Sequence, residues 1–193
     1  MKKLMVALML LSLAAVANAQ YNMNFIGISA DPDLTVCYAG WEAGASVDVY
    51  FLVYIDPAEI NGVSGAEFRV DSLPIAEAPN VFVTDSWGGL TIGDLGYGFS
   101  IALDFPGAGP IVELGMRNYF ILTDTGDVGM DHHMRVMETL DSGNLIITDF
   151  NFNEIDVDGG MFTWNCSNPN ACGCIDEPVA VAPASWGSIK SLY

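Results

Sequence analysis

Between Ser46 and Asp71, apolar and polar side chains alternate more regularly than elsewhere in the chain. Val47, Val49, Phe51, Val53 and Ile55 recur at every second position with Asp48, Tyr50, Leu52 and Tyr54 between them, the period of a strand with one buried face. Asp56-Pro57 marks a turn. After Gly62 and Gly65 a second alternation sets Ala66, Phe68 and Val70 against Glu67, Arg69 and Asp71. This strand pair is predicted to be the centre of the fold. Tyr97, Phe99, Ile101, Leu103 and Phe105 repeat the pattern until Pro106-Gly107-Ala108-Gly109-Pro110 ends it.

Shorter apolar runs predict the other strands. One lies within 21–29, one passes through Leu34, Val36 and Tyr38, and one runs from Asn80 to Thr84 and is broken by Gly88-Gly89. Ile111 to Leu114 and Asn118 to Thr123 flank a bulge near Gly115, and Met134 to Met137, Leu145 to Ile147 and Met161 to Trp164 follow. Asn153 to Gly160, with an Asp-Gly step, predicts a hairpin. After residue 19 no stretch of about ten residues keeps a helical period. About nine or ten short strands separated by Gly, Pro and Asp turns predict an all-β fold, an antiparallel two-sheet β-sandwich or a jelly roll.

The termini depart from this pattern. Residues 1–19 carry Lys2 and Lys3, an apolar run from Leu4 to Val16 and the small-residue site Ala17-Asn18-Ala19, the build of a secretory signal peptide. That run is short for a bilayer, and no later run reaches about 18 apolar residues. The expectation is export without a membrane span, to the outside or the cell surface, with the periplasm as the alternative. Residues 20–175 then form one domain. Residues 176–184 are rich in Pro and Ala and read as an extended linker. In 185–193, Trp186, Ile189 and Tyr193 fall at i, i+3 and i+7, one face of a two-turn helix that needs a surface to dock on.

Charge narrows the partners. The chain has 24 Asp+Glu and 6 Lys+Arg, a formal charge of −18, and without 1–19 it has four basic residues and a charge of −20. Such a surface repels phosphate backbones and anionic headgroups, so nucleic acid is not an expected partner. The four cysteines, Cys37, Cys166, Cys172 and Cys174, are expected to form disulfides in an exported chain. A bond between Cys172 and Cys174 would close a strained ring, which leaves 37–172 with 166–174, or 37–174 with 166–172. The spacing C-x5-C-x-C fits no common zinc module.

The order of features resembles the cohesin-type β-sandwich, a secreted module of bacterial surface and cellulosome-related proteins. The residues that carry this are the strand from Val47 to Ile55, the segment Gly62-Val63-Ser64-Gly65-Ala66-Glu67-Phe68-Arg69-Val70, and the closing Asp156-Val157-Asp158-Gly159-Gly160-Met161-Phe162-Thr163-Trp164. The four cysteines are not a requirement of that family. The resemblance implies a binding or structural module with a protein or glycan partner at the cell surface. The ending Trp186-Gly187-Ser188-Ile189-Lys190-Ser191-Leu192-Tyr193 is similar to endings of exported proteins of environmental bacteria, and reads as a docking or sorting element.

Candidate chemistry is sparse, and no enzyme is expected. Glu154, Asp156 and Asp158 offer hard oxygen ligands for a possible Ca2+, although Asp156-x-Asp158-Gly159 is only a fragment of the full calcium loop. His132-His133 with Asp124, Asp127 and Asp131 have ligand types suited to a transition metal, but adjacent strand residues face opposite ways. Gly62-Val63-Ser64-Gly65 lacks the last position and the helix of a nucleophile elbow. Tyr50, Tyr54 and Trp87 are candidate sugar-stacking aromatics, so the alternative function is calcium-assisted carbohydrate binding.

Overall fold

A computed structural model describes residues 24–74, 80–123 and 128–175. The predicted signal peptide, linker and tail, with Trp186, Ile189 and Tyr193, lie outside the described residues, as do Asp124 and Asp127.

Among the described residues thirteen strands form two sheets: β1 Phe25–Ser29, β2 Tyr38–Ala39, β3 Ser46–Tyr54, β4 Val63–Asp71, β5 Val81–Trp87, β6 Gly89–Asp94, β7 Gly98–Gly107, β8 Ile111–Ile121, β9 His132–Met137, β10 Ile146–Thr148, β11 Glu154–Asp156, β12 Asp158–Gly159 and β13 Met161–Trp164. The five-stranded sheet runs β12-β1-β3-β8-β5. In the eight-stranded sheet β4 is shared: β7, itself paired with β6, lies along one edge. On its other edge β10 pairs with Gly65, Ala66 and Glu67, and β9 with Arg69, Val70 and Asp71, β9 continuing to β13 and β2.

Two-residue periodicity places the inner faces. Val49, Phe51 and Val53 of β3 and Ala66, Phe68 and Val70 of β4 are all buried, so the two most regular strands face each other across the core. Phe51 meets Phe68 at 6.1 Å between ring centroids, Phe68 meets Phe99 at 5.6 Å, and Trp87 closes the group at 4.4 Å from Phe99 and 5.2 Å from Phe51. A second group joins Trp41, Tyr119, Phe162 and Trp164. Each such side chain fully buried contributes roughly 1.5–3 kcal/mol, and each edge or tilted ring contact roughly 0.5–1.5 kcal/mol more.

Several expectations are corrected. The sheets are mixed rather than purely antiparallel: β12 runs parallel to β1 and β2 parallel to β13, because both short strands enter from a crossover between sheets and not from a tight turn. Residues 153–160 form no hairpin. β11 joins β10 in one sheet, Val157 is buried at the corner, and β12 joins β1 in the other. The break falls at Gly88, and beyond it the chain continues as a further strand, β6. Leu34 and Val36 lie in a loop, not a strand, with Leu34 at φ 58°. The bulge near Gly115 is present: the register of β3 against β8 shifts between Phe51 and Leu52, which opposes Gly115 to Phe51 and Glu113 to Leu52.

Candidate functional site

With the inner faces filled, what the molecule offers a partner lies on the outer faces of the two sheets. The register of the five-stranded sheet sets three outer rows: Ser46 beside Phe120 and Phe82, Asp48 beside Asn118 and Thr84, and Tyr50 beside Met116 and Ser86. Phe82 and Phe120 are 56% and 41% exposed. Asn118 Nδ2 donates to Ser46 Oγ at 2.9 Å and to Asp48 Oδ1 at 2.6 Å, which fixes the polar row between the aromatics and Tyr50. Behind them on the inner side, Arg117 grips Asp85 with two bonds of 2.7 Å. Tyr119 is buried there with no hydrogen bond of normal geometry to its hydroxyl, and burial pushes its phenol up to about 12 although the Arg117 guanidinium draws it down.

The other half of the same face is closed. Residues 30–37 fold back over β1 and β3, Ala30 N donating to Val36 O at 2.7 Å, and Leu34 lies over Gly27, where an added Cβ would sit 2.6 Å from Leu34 Cδ1. Gly27 opposes Leu52, so Leu52 is fully buried although it alternates with the core residues Phe51 and Val53. Asp31 ties the loop with its carboxylate, accepting from Ser29 Oγ at 2.7 Å and Thr35 N at 2.8 Å. Burial pushes the Asp31 carboxyl up, but the Thr35, Ser29 and Val36 hydrogen bonds outweigh it and hold the acid below its ordinary 3.8. The Cys37–Cys174 disulfide, across a sequence separation of 137, pins the end of this loop. Cys166–Cys172 is the second bond, so the pairing is 37–174 with 166–172.

On the eight-stranded sheet the outer face carries a groove of about 620 Å³. Gly65, Ala102 and Thr148 are cross-strand neighbours on its floor, and Pro106, Phe150 and Phe152 are among its walls. Gly65 is needed there, since a Cβ would lie 2.6 Å from Ile101 O. The apolar row runs on to Leu90, paired with Ala102, and to Ile92; both are about 70% exposed, at 68% and 70%. The wall at 149–153 is built by Asp149, whose carboxylate accepts from Asn151 N at 2.7 Å, Asn153 N at 2.8 Å and Asn153 Nδ2 at 2.9 Å. Those hydrogen bonds, Asn153 first, hold the Asp149 carboxyl below 3.8. Phe152, at φ 63°, is turned outward and 81% exposed.

The residues singled out from the sequence are dispersed. Tyr50 and Tyr54 share the outer side of β3, with Tyr54 stacked on Phe25 at 5.6 Å, but Trp87 points inward to Phe51 and Phe99. Glu154 and Asp156 belong to β11 and Asp158 to β12 in the other sheet. His132 Nε2 meets Ser72 O at 2.7 Å and His133 Nδ1 meets Thr163 Oγ1 at 3.0 Å. Asp131 accepts from Ser167 N and Oγ, both at 2.7 Å. Among the described residues the group of metal-ligand types drawn together is Asp131 with Cys166 and Cys172, whose sulfurs are bonded to each other. The groove walls Phe150 and Phe152 went unnoticed in the sequence; the signal was an Asp and an Asn four positions apart, bracketing two phenylalanines.

No protein-family model matches the chain, and no curated protein sequence matches it. Among solved structures, it is similar to a cohesin module of a family 33 glycoside hydrolase from Clostridium perfringens, at TM-score 0.43 and 10% identity over 75% of this chain and 98% of that one. It is also similar to the sixth cohesin of scaffoldin B from Acetivibrio cellulolyticus, solved with a Cel5 dockerin, at TM-score 0.43 and 16% identity over 74% and 98%. A third cohesin from Acetivibrio cellulolyticus, solved with a dockerin, gives 0.40 and 16% over 74% and 99%. At this level the likeness to cohesin modules concerns the all-β fold alone.

Proposed function

We propose that the chain is a non-enzymatic binding or structural module, secreted or held at the cell surface, that serves adhesion, scaffolding or assembly by taking a protein partner on the open half of the five-stranded sheet. The observation that carries this reading is the pairing of Phe82 with Phe120, exposed side by side on the outer face of the sheet and bordered by the hydrogen-bonded Asn118, Asp48 and Ser46. Aromatic anchors beside satisfied polar groups, on a backbone that ordering does not have to fix, are what a protein interface needs at its centre. Two disulfides fit an oxidising compartment. The tail at 185–193 acts in this reading as a docking or sorting element. A protein partner is favoured over a calcium-assisted glycan because Trp87 is turned away from Tyr50 and Tyr54, and Asp158 is in a different sheet from Glu154 and Asp156.

The test compares the full chain with a Phe82→Ala/Phe120→Ala variant as baits for the surface and secreted proteins of the source cells. A partner bound by the native chain and at least about tenfold more weakly by the variant is expected. Equal binding by both would move the interface elsewhere.

A further inference from the structure

The groove on the eight-stranded sheet has no role in the reading above. It is an apolar channel on a chain whose surface is otherwise strongly acidic, and Phe152 stands out of it in a left-handed backbone conformation that Asp149 enforces. Such conformations cost of order 1 kcal/mol and persist where the surroundings impose them, commonly at ligand clamps. An aromatic held outward at 81% exposure on a groove that it lines with Phe150 and Pro106, with exposed Leu90 and Ile92 on the same sheet face, needs a cover.

The chain itself carries a matching segment. Residues 185–193 hold Trp186, Ile189, Leu192 and Tyr193, no acid, and Lys190, one of only four basic residues after position 19. Arg69 and Arg117 are engaged with Asp71 and Asp85, Arg135 also has a partner, and Lys190 is the cation that the tail itself brings to the groove's own acid, Asp104. Reach agrees as well. Ile175 bridges to Gly160, six residues along the chain from Glu154, which pairs with Thr148 on the groove floor. At about 3.4 Å per residue plus about 5 Å for each pairing, that path is at most roughly 30 Å. The ten steps from Ile175 to Ser185 cover about 31 Å at the ~3.1 Å per residue of a proline-rich extended chain.

We propose that the groove between Ala102, Pro106, Phe150 and Phe152 is the seat of this chain's own C-terminal segment 185–193, with Trp186 and Ile189 entering the channel and Lys190 facing Asp104. The proposal rests on the reading of the tail as a docking element and names the surface it docks on. The tail's apolar side chains are then hidden from solvent until something competes for them.

Hydrogen exchange on the full, disulfide-bonded chain tests this. Amides of 185–193 are expected to exchange at least tenfold more slowly than their intrinsic rates, while those of 176–184 do not. Ala102→Glu on the floor and Phe152→Ala on the exposed wall should each return the tail to intrinsic rates, and Phe82→Ala on the opposite face should leave the protection intact. Because Phe152 packs against little, that variant remains informative even if Ala102→Glu unfolds the sheet. Protection should be unchanged over a hundredfold dilution. A tail at intrinsic rates, protection that survives both groove substitutions, or protection lost on dilution, which would mean a second copy supplies the tail, each overturns the proposal. An unprotected tail with partner binding intact removes this proposal alone, whereas a protected tail without Phe82-dependent binding removes only the interface on the other sheet.

Discussion

Leu52 and Leu90 are both on the outer side of a sheet, in strands of the same alternating build, yet Leu52 is fully buried and Leu90 is 68% exposed. The difference lies in what crosses them. Over Leu52 and Gly27 lies the 30–37 loop, folded by Asp31 and pinned by Cys37–Cys174. On the eight-stranded sheet the comparable loop, 149–153, is folded by Asp149 in much the same way but stands beside the strands as a wall and leaves Leu90, Ile92 and Ala102 uncovered. Alternation therefore decides which side chains turn outward, and a tethered loop decides whether outward means wet. The same chain closes half of one outer face and leaves the other with a channel.

Removing the tether tests that contrast most severely. Cys37→Ser/Cys174→Ser is expected to lower stability by about 5 kcal/mol in the chain-entropy account, against about 2 kcal/mol for Cys166→Ser/Cys172→Ser, whose loop spans a separation of only 6. Denaturant unfolding of the two oxidised variants measures both. If they cost the same, the long bond does not hold the cover. Next comes the direct comparison of the two leucines: Leu52→Ala should cost about 2–5 kcal/mol, while Leu90→Ala should stay within about 0.5 kcal/mol. Comparable losses at both positions would mean that the outer faces are not as different as their exposure indicates.

A smaller gain is expected beneath the open half of the five-stranded sheet. Tyr119→Phe removes a buried hydroxyl without a normal partner and should leave stability unchanged or raise it by about 1 kcal/mol in thermal unfolding. A loss of that size would show that Arg117 satisfies the hydroxyl.

The last test uses acid on the two loops. Asp31 and Asp149 both have carboxyls held below 3.8, so each loop's contribution is fully present above that value and is lost as pH falls through the lowered one. Between about pH 4 and 7 both loops should therefore be insensitive to pH. Below pH 4 the amides of 149–153 should open, and Asp149→Asn should remove this acid step for that loop while leaving the 30–37 loop's step in place. Opening of the 149–153 loop near neutral pH would assign its hold to something other than Asp149.

How much of this was legible in the sequence varies with the range of the cause. Strict alternation at 47–55, 66–70 and 97–105 announced β3, β4 and β7, because a strand's two faces follow from its own backbone, although at the ends of the third run Tyr97 and Phe105 are 56% and 89% exposed instead of buried. The bulge at Gly115 was readable for the same local reason. Asp156-Val157-Asp158-Gly159 misled: its hairpin signal is local, but Val157 is drawn into the corner of the core and sends the flanking residues to different sheets. Trp87 read as a platform residue for a similar reason, since its strand alternates but the inner side of that strand is fixed by pairing with Gly115 opposite Phe51. Neither the exposed aromatic pair nor the groove floor had a sequence signature, because Phe82 meets Phe120 and Gly65 meets Ala102 and Thr148 only through register.

The sequence by itself determined the class of fold, the two most regular strands at its centre, a strongly acidic surface and a choice between two disulfide pairings, but not that those two strands belong to different sheets and face each other across the core. The tertiary structure decided which pairing forms, which crossovers run parallel, and which outer face is roofed. The reason is that side-chain period and turn chemistry act over a few residues, whereas cover and contact are set by segments as far apart as Cys37 and Cys174, which the chain brings together only once both sheets exist.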